Sequence, residues 1–270
     1  MKTYKNIWEN VGISSQKLES YFEFYQTELL PYIGKPITLL EIGVAEGGNL
    51  IALRNFLGNE ARIIGLDFRT PQNLKILEEH NIEFIEGVWQ DKSIFRKIIS
   101  ELDVLIDDGP HDNKSTINSI FYGLKHLKPG GKIFIEDLHT NFMLEFGNPS
   151  RYSTSSLLCK LVEKMHKKTL DQSGEEISRI RTIKFGPSIC VIELNSESQF
   201  GNLLIKSESE MTEKTKRMYG GLTKSKLINY VANYWIKYDQ VYFLKLLRIG
   251  ISFLIYRVKD LSNIKYFFKL

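Results

Sequence analysis

Five short, nearly unbroken apolar runs punctuate the first half of the chain: Ile37–Ile42, Ala61–Leu66, Ile82–Ile85, Val104–Ile106 and Ile133–Ile135. Most close on glycine or on acids, and a stretch with helical spacing follows most of them. Strands that are apolar on both faces must be covered on both faces, which helices in βα units do. The pattern therefore predicts an α/β fold with a mainly parallel sheet. Helices are expected over Ser15–Tyr32, ending near Pro31, over Asn73–His80, Asp91–Ile99 and Ser115–Leu127, with a turn at Pro129-Gly130-Gly131. Two further runs, Ile180–Phe185 and Ile189–Leu194, flank Gly186-Pro187 and read as an antiparallel pair that completes seven strands.

Composition excludes several classes. An apolar share of 43% with 25% charged residues is that of a folded globular chain, not of a disordered one or a coiled coil. The 270 residues suffice for one large domain and an appendage. Cys159 and Cys190 are too few for a disulfide framework and read as small buried hydrophobes in a reducing compartment. The first residues, MKTYKNIWENVG, lack the apolar core of a secretory signal, so a cytoplasmic location is expected.

Charge is unevenly spread. Residues 201–270 hold 13 Lys and Arg against 5 Asp and Glu, whereas the first 200 hold 23 against 27. We expect a catalytic domain over 1–200, a polar linker over 201–225 and a basic, aromatic helical tail over 226–270. Within that tail, Ile249–Tyr256 is far shorter than the ~20 residues of a spanning helix. Basic residues among aromatics fit a helix lying on an anionic membrane surface, peripheral on its inner face; packing on the domain or on a second copy is the bland alternative.

In open parallel sheets, ligands bind beyond the carboxyl ends of the strands. There the first strand gives Glu41-Ile42-Gly43-Val44-Ala45-Glu46-Gly47-Gly48, a glycine loop that departs from the G-x-G-x-x-G of dehydrogenases. Asp67 closes the second strand, placed to accept hydrogen bonds from ribose hydroxyls. Gly87-Val88-Trp89 follows the third, where an adenine ring would lie. The fourth and fifth end in Asp107-Asp108-Gly109-Pro110-His111 and Glu136-Asp137-Leu138-His139. Carboxylates crowded at adjacent strand ends need a cation or protons, and oxygen donors suit a hard ion such as Mg²⁺. His111 is the first candidate for a general base and His139 the second. Against each stands a plain alternative: a strand–helix turn, a solvated acidic rim, a structural histidine.

Taken together, Glu41–Gly48, Asp67 and Leu127-Lys128-Pro129-Gly130-Gly131 resemble the class I S-adenosylmethionine-dependent methyltransferases, with their Rossmann-like fold. Within that class, Ile106–His111 and Ile135–Thr140 are similar to the metal-dependent sugar O-methyltransferases of macrolide tailoring, with relatives in polysaccharide clusters. The resemblance covers about residues 10–195. It implies S-adenosylmethionine around Glu41, Gly43, Gly47, Asp67, Gly87, Val88, Trp89 and Asp107. It likewise implies Mg²⁺ on Asp108, Glu136 and Asp137, and His111 as base. The acceptor would be a hydroxyl-bearing glycan or glycosylated metabolite, with a small aromatic diol as the alternative substrate. A non-catalytic docking role in a membrane assembly complex is the alternative of another class. A homo-oligomer is a candidate partner, and the acidic crevice speaks against nucleic acid. Pro110 replaces the serine usual in the fourth-strand motif. The relatives' amino-terminal Asp-Lys and His-x-Tyr elements have no match around Gly12–Tyr21, so acceptor recognition is expected to differ.

Overall fold

The computed structural model describes residues 2–88, 102–146, 152–168 and 179–196. Trp89, the expected helix over Asp91–Ile99, the linker and the basic tail lie outside the described residues. Among the described residues, no helix is long and apolar enough to cross a membrane.

The strands are β1 (Thr38–Ile42), β2 (Arg62–Asp67), β3 (Ile82–Glu86), β4 (Leu102–Asp107), β5 (Leu127–Ile135), β6 (Ile180–Gly186) and β7 (Ile189–Leu194). They form one sheet in the order β3-β2-β1-β4-β5-β7-β6. The pairs among β1 to β5 are parallel, and β7 runs antiparallel to both β5 and β6. The chain first builds outward from β1 to β3 and then returns to place β4 on the other side of β1. In sheets of this kind ligands bind at that reversal, beyond the carboxyl ends of the strands.

Six described helices flank the sheet: α1 (Tyr4–Trp8), α2 (Tyr21–Leu29), α3 (Gly48–Leu57), α4 (Leu74–Glu79), α5 (Asn113–His126) and α6 (Thr154–Lys168). Successive side chains of a strand point to opposite faces. Leu39, Ile63, Ile106 and Phe134 thus meet the aromatic face of α1 and α2 and the leucines of α3, in one fully enclosed cluster. Leu40, Ile64, Leu105 and Ile133 meet α5 and α6 through Ile120, Leu124, Leu158 and Leu161 in a second. Two cores, one per face, are why the strands read as continuous apolar runs. Each such side chain contributes roughly 1.5–3 kcal/mol by leaving water.

Three expectations need correction. The helix expected from Ser15 begins only at Tyr21, because Ser14–Leu18 run as irregular chain along the carboxyl edge of the sheet. Pro129-Gly130-Gly131 is not a separate turn; it is the irregular start of β5, with a register shift against β4. Cys190 is buried, but Cys159 is exposed on α6, a helix the apolar spacing of 154–168 carries and the sequence reading passed over.

Candidate active site

The glycine loop sits where two strand ends nearly touch. A Cβ on Gly43 would stand 1.9 Å from the Asp108 carbonyl oxygen, so the loops after β1 and β4 approach more closely than any side chain permits. Gly43 has φ 86°, and the Asp108 amide donates to the Ile42 carbonyl at 2.9 Å. Gly47, also left-handed, caps the N-terminus of α3. Asp67 ties this loop to β2: its Oδ2 accepts from the Val44 and Ala45 amides at 2.8 and 3.2 Å, and its Oδ1 from the Arg69 amide at 3.1 Å. Gly87 donates to the Asp67 carbonyl at 2.8 Å, which brings the exposed Val88 to the same edge.

Two buried carboxylates face this crevice with an oxygen to spare. Glu41 Oε1 accepts from Asn49 Nδ2 at 2.6 Å, and Asn49 Oδ1 accepts from the Tyr4 hydroxyl at 2.7 Å. Asp107 Oδ1 accepts from the Gly109 amide at 3.3 Å. Glu41 Oε2 and Asp107 Oδ2 have no hydrogen-bond partner among the described residues. Burial pushes both acids up to about 7. Such unmatched acceptors in a closed site call for donors from outside the chain.

Next to them lies the acidic cluster. Asp108, His111 and Asp137 each offer an atom to one point, these atoms lying within 4.8 Å of one another. His111 Nε2 is 3.2 Å from Asp137 Oδ2 and 4.0 Å from Asp108 Oδ1. Both His111 and Asp137 hold the left-handed conformation, at φ 59° and 55°, as does Ala45 at 48°. A non-glycine residue pays for that geometry, so the fold holds it in place through its surroundings. Here Thr140 Oγ1 bridges the two loops, donating to either the Asp137 carbonyl at 2.7 Å or the His111 carbonyl at 3.2 Å. Tyr21 Oη donates to Asp137 Oδ1 at 2.6 Å and accepts from the Asp137 amide at 3.0 Å.

Glu136 is placed differently from its neighbours. Both of its oxygens lie 2.8 Å from Lys17 Nζ, and Tyr25 Oη also donates to it. Lys17 Nζ reaches Asp108 Oδ2 as well, at 3.1 Å. Burial and the Asp108 charge push the Glu136 carboxyl up while Lys17 and Tyr25 pull it down; Lys17 itself is held well above its usual value because the charges of Glu136 and Asp108 outweigh its burial. His139 turns away from the cluster, its Nδ1 hydrogen-bonded to Ser188 Oγ in the β6–β7 hairpin and 3.9 Å from Asp137 Oδ1.

The structure thus brings Glu41, Gly43, Gly47, Asp67, Asp107, Asp108, His111, Glu136 and Asp137 to one edge, with His139 at its rim. The sequence reading missed Tyr4, Lys17, Tyr21, Tyr25 and Asn49. The only available signal was the polar tips of Lys17, Tyr21 and Tyr25, set four residues apart. The donor set suits a hard divalent ion in kind, carboxylate oxygens with one imidazole.

No family model matches the chain. Demethylmacrocin O-methyltransferase of Streptomyces fradiae is 29% identical over 143 residues, 49% of this chain and 35% of that protein. Mycinamicin VI 2''-O-methyltransferase of Micromonospora griseorubida is 30% identical over 146 residues, 49% of this chain and 36% of its own length. The chain thus spans little more than a third of the length of these relatives. Among solved structures, the MycE methyltransferase in complex with Mg, SAH and mycinamycin VI superposes with a TM-score of 0.66 at 21% identity, covering 82% of this chain and 60% of that one. The described residues therefore carry the Rossmann-like fold of the class I S-adenosylmethionine-dependent methyltransferases, and in sequence the chain is similar to sugar O-methyltransferases of that class.

Proposed function

We propose that the chain is an S-adenosylmethionine-dependent O-methyltransferase that acts, with a divalent metal, on a sugar hydroxyl of a glycan or glycosylated metabolite. One observation carries the reading: the carboxylates of Asp108 and Asp137 converge with the His111 ring beside the β1–β4 crevice, where Glu41 and Asp107 hold buried oxygens with no partner among the described residues. The relatives named above, O-methyltransferases by name, and the MycE complex with Mg and SAH support it.

Bound there, the cofactor would supply an electrophilic methyl group and the ion would lower the pKa of the acceptor hydroxyl. The chain's own residues do the rest. Asp108, Glu136 and Asp137 would hold the ion. The free oxygens of Glu41 and Asp107 would accept from donors of the cofactor, and Asp67 keeps the glycine loop in shape beneath it. Asp137 orients the His111 ring through Nε2, and His111 would take the acceptor's proton. Alignment of this kind supplies on the order of 7 kcal/mol or more in favourable cases.

The reading is tested by calorimetric titration of S-adenosylmethionine and S-adenosylhomocysteine into the purified chain, with and without Mg²⁺, followed by a methyl-transfer assay on vicinal sugar diols. We expect both ligands to bind and transfer to cease in EDTA and in D108A. Failure of both ligands to bind, or full turnover of D108A in EDTA, would remove the proposal.

A further inference from the structure

Lys17 is buried where a metal ligand is expected to be open. Its side chain is 1% exposed, its ammonium contacts both oxygens of Glu136 and one of Asp108, and it lies 5.3 Å from the centre of the Tyr25 ring. Two carboxylates from adjacent strand ends thus already share one cation, and that cation is the chain's own. It comes from Ser14–Leu18, which belongs to no helix or strand and is joined to α2 by a turn. A lysine on such a segment has four rotatable side-chain bonds with which to withdraw.

The divalent site assigned above draws on the same groups. Asp108 is common to both sets, with Oδ2 toward Lys17 and Oδ1 toward His111. Glu136 cannot ligate an ion while both of its oxygens hold the ammonium. An ion on Asp108 and Asp137 alone would stand beside the buried ammonium, and the like charges repel. The two cations therefore exclude one another.

We infer that Lys17 is a built-in competitor of the divalent ion: its ammonium holds Asp108 and Glu136 in the metal-free protein and releases both when the ion binds. The inference rests on the metal-dependent reading and deepens it, since it makes metal occupancy and the position of the Ser14–Leu18 segment one equilibrium. Unlike a passive structural lysine, this one sets metal affinity from inside the site.

The probe is Mn²⁺ alone, titrated calorimetrically into the full chain and into K17M. We expect K17M to bind Mn²⁺ about tenfold more tightly or better, because the ion no longer displaces a charge from its carboxylates. A second measurement uses the unaltered protein, so it holds if K17M folds poorly. Reductive methylation read by peptide mass spectrometry should find Lys17 protected without metal and modified at saturating Mn²⁺. A K17M that binds Mn²⁺ no more tightly, or a Lys17 that stays protected in the saturated protein, overturns the inference. Mn²⁺ binding to neither protein overturns the metal-dependent reading itself, and is distinguishable from both.

Discussion

Replacing Gly43 by alanine tests whether the β1–β4 crevice is built as described. The added methyl would lie 1.9 Å from the Asp108 carbonyl oxygen, 2.5 Å from its carbon and 2.9 Å from Gly109 Cα. All three are backbone atoms and cannot rotate away, so the loop after β4 must shift. The shift breaks the 2.9 Å bond from the Asp108 amide to the Ile42 carbonyl, a loss of about 1 kcal/mol. Overpacking adds about 1–3 kcal/mol, and φ of 86° at a residue with a side chain adds about 1 kcal/mol. The total is about 3–5 kcal/mol, which lowers Tm on the order of 10 °C for a domain of this size. Gly34 supplies the control: it has φ 69° with nothing within 4 Å, so G34A carries a positive-φ cost without the clash. Thermal unfolding by circular dichroism should rank wild type above G34A and G34A well above G43A, and Mn²⁺ titration should show weakened binding in G43A alone. A G43A protein as stable as G34A, with unaltered Mn²⁺ affinity, would refute the close approach of the two loops.

Other consequences follow from single side chains. Glu41 is raised by burial from 4.5 to about 7, so the folded protein binds its proton more tightly and stability falls as pH rises between those values. Urea denaturation from pH 4 to 8 should show that loss in the wild type and a flatter profile in E41Q. The buried Arg54 donates to the carbonyls of His80, Gly58, Ala61 and Asn81. R54A leaves these acceptors without it and should cost about 3 kcal/mol in chemical denaturation, with R54K recovering only part. Y21F removes the hydroxyl that holds Asp137 and should lower Mn²⁺ affinity roughly 10–100-fold, with far-UV circular dichroism unchanged.

What the sequence made legible follows from the range over which its information acts. The strands of the parallel sheet were readable because burial on both faces leaves an unbroken apolar run, a local signal. The acids and His111 were readable because strand ends in this architecture share one edge. Lys17 and Tyr25 were not, since they meet Glu136 across 119 and 111 residues of sequence, and Tyr21 meets Asp137 across 116. The spacing of Leu18, Tyr21, Phe22 and Tyr25 suits a helix as well before Tyr21 as after it. Out of helical register, Lys17 meets carboxylates of the far strand ends, a tertiary contact that no local pattern announces. Asp67 shows the same limit: the sequence offers it to a ribose, whereas its bonds to the Val44 and Ala45 amides first serve the loop.

The left-handed backbone at Ala45, His111 and Asp137 sets a price on keeping this edge. Each costs about 1–2 kcal/mol that glycine would not, partly offset by the freedom glycine adds to the unfolded chain. Exchanging Ala45 for glycine would therefore strengthen the fold, whereas glycine at His111 or Asp137 gives up the contact between the two and the bond from Tyr21. Selection for thermal resistance alone, applied to a random library, should enrich glycine at position 45 and leave the other two as they are.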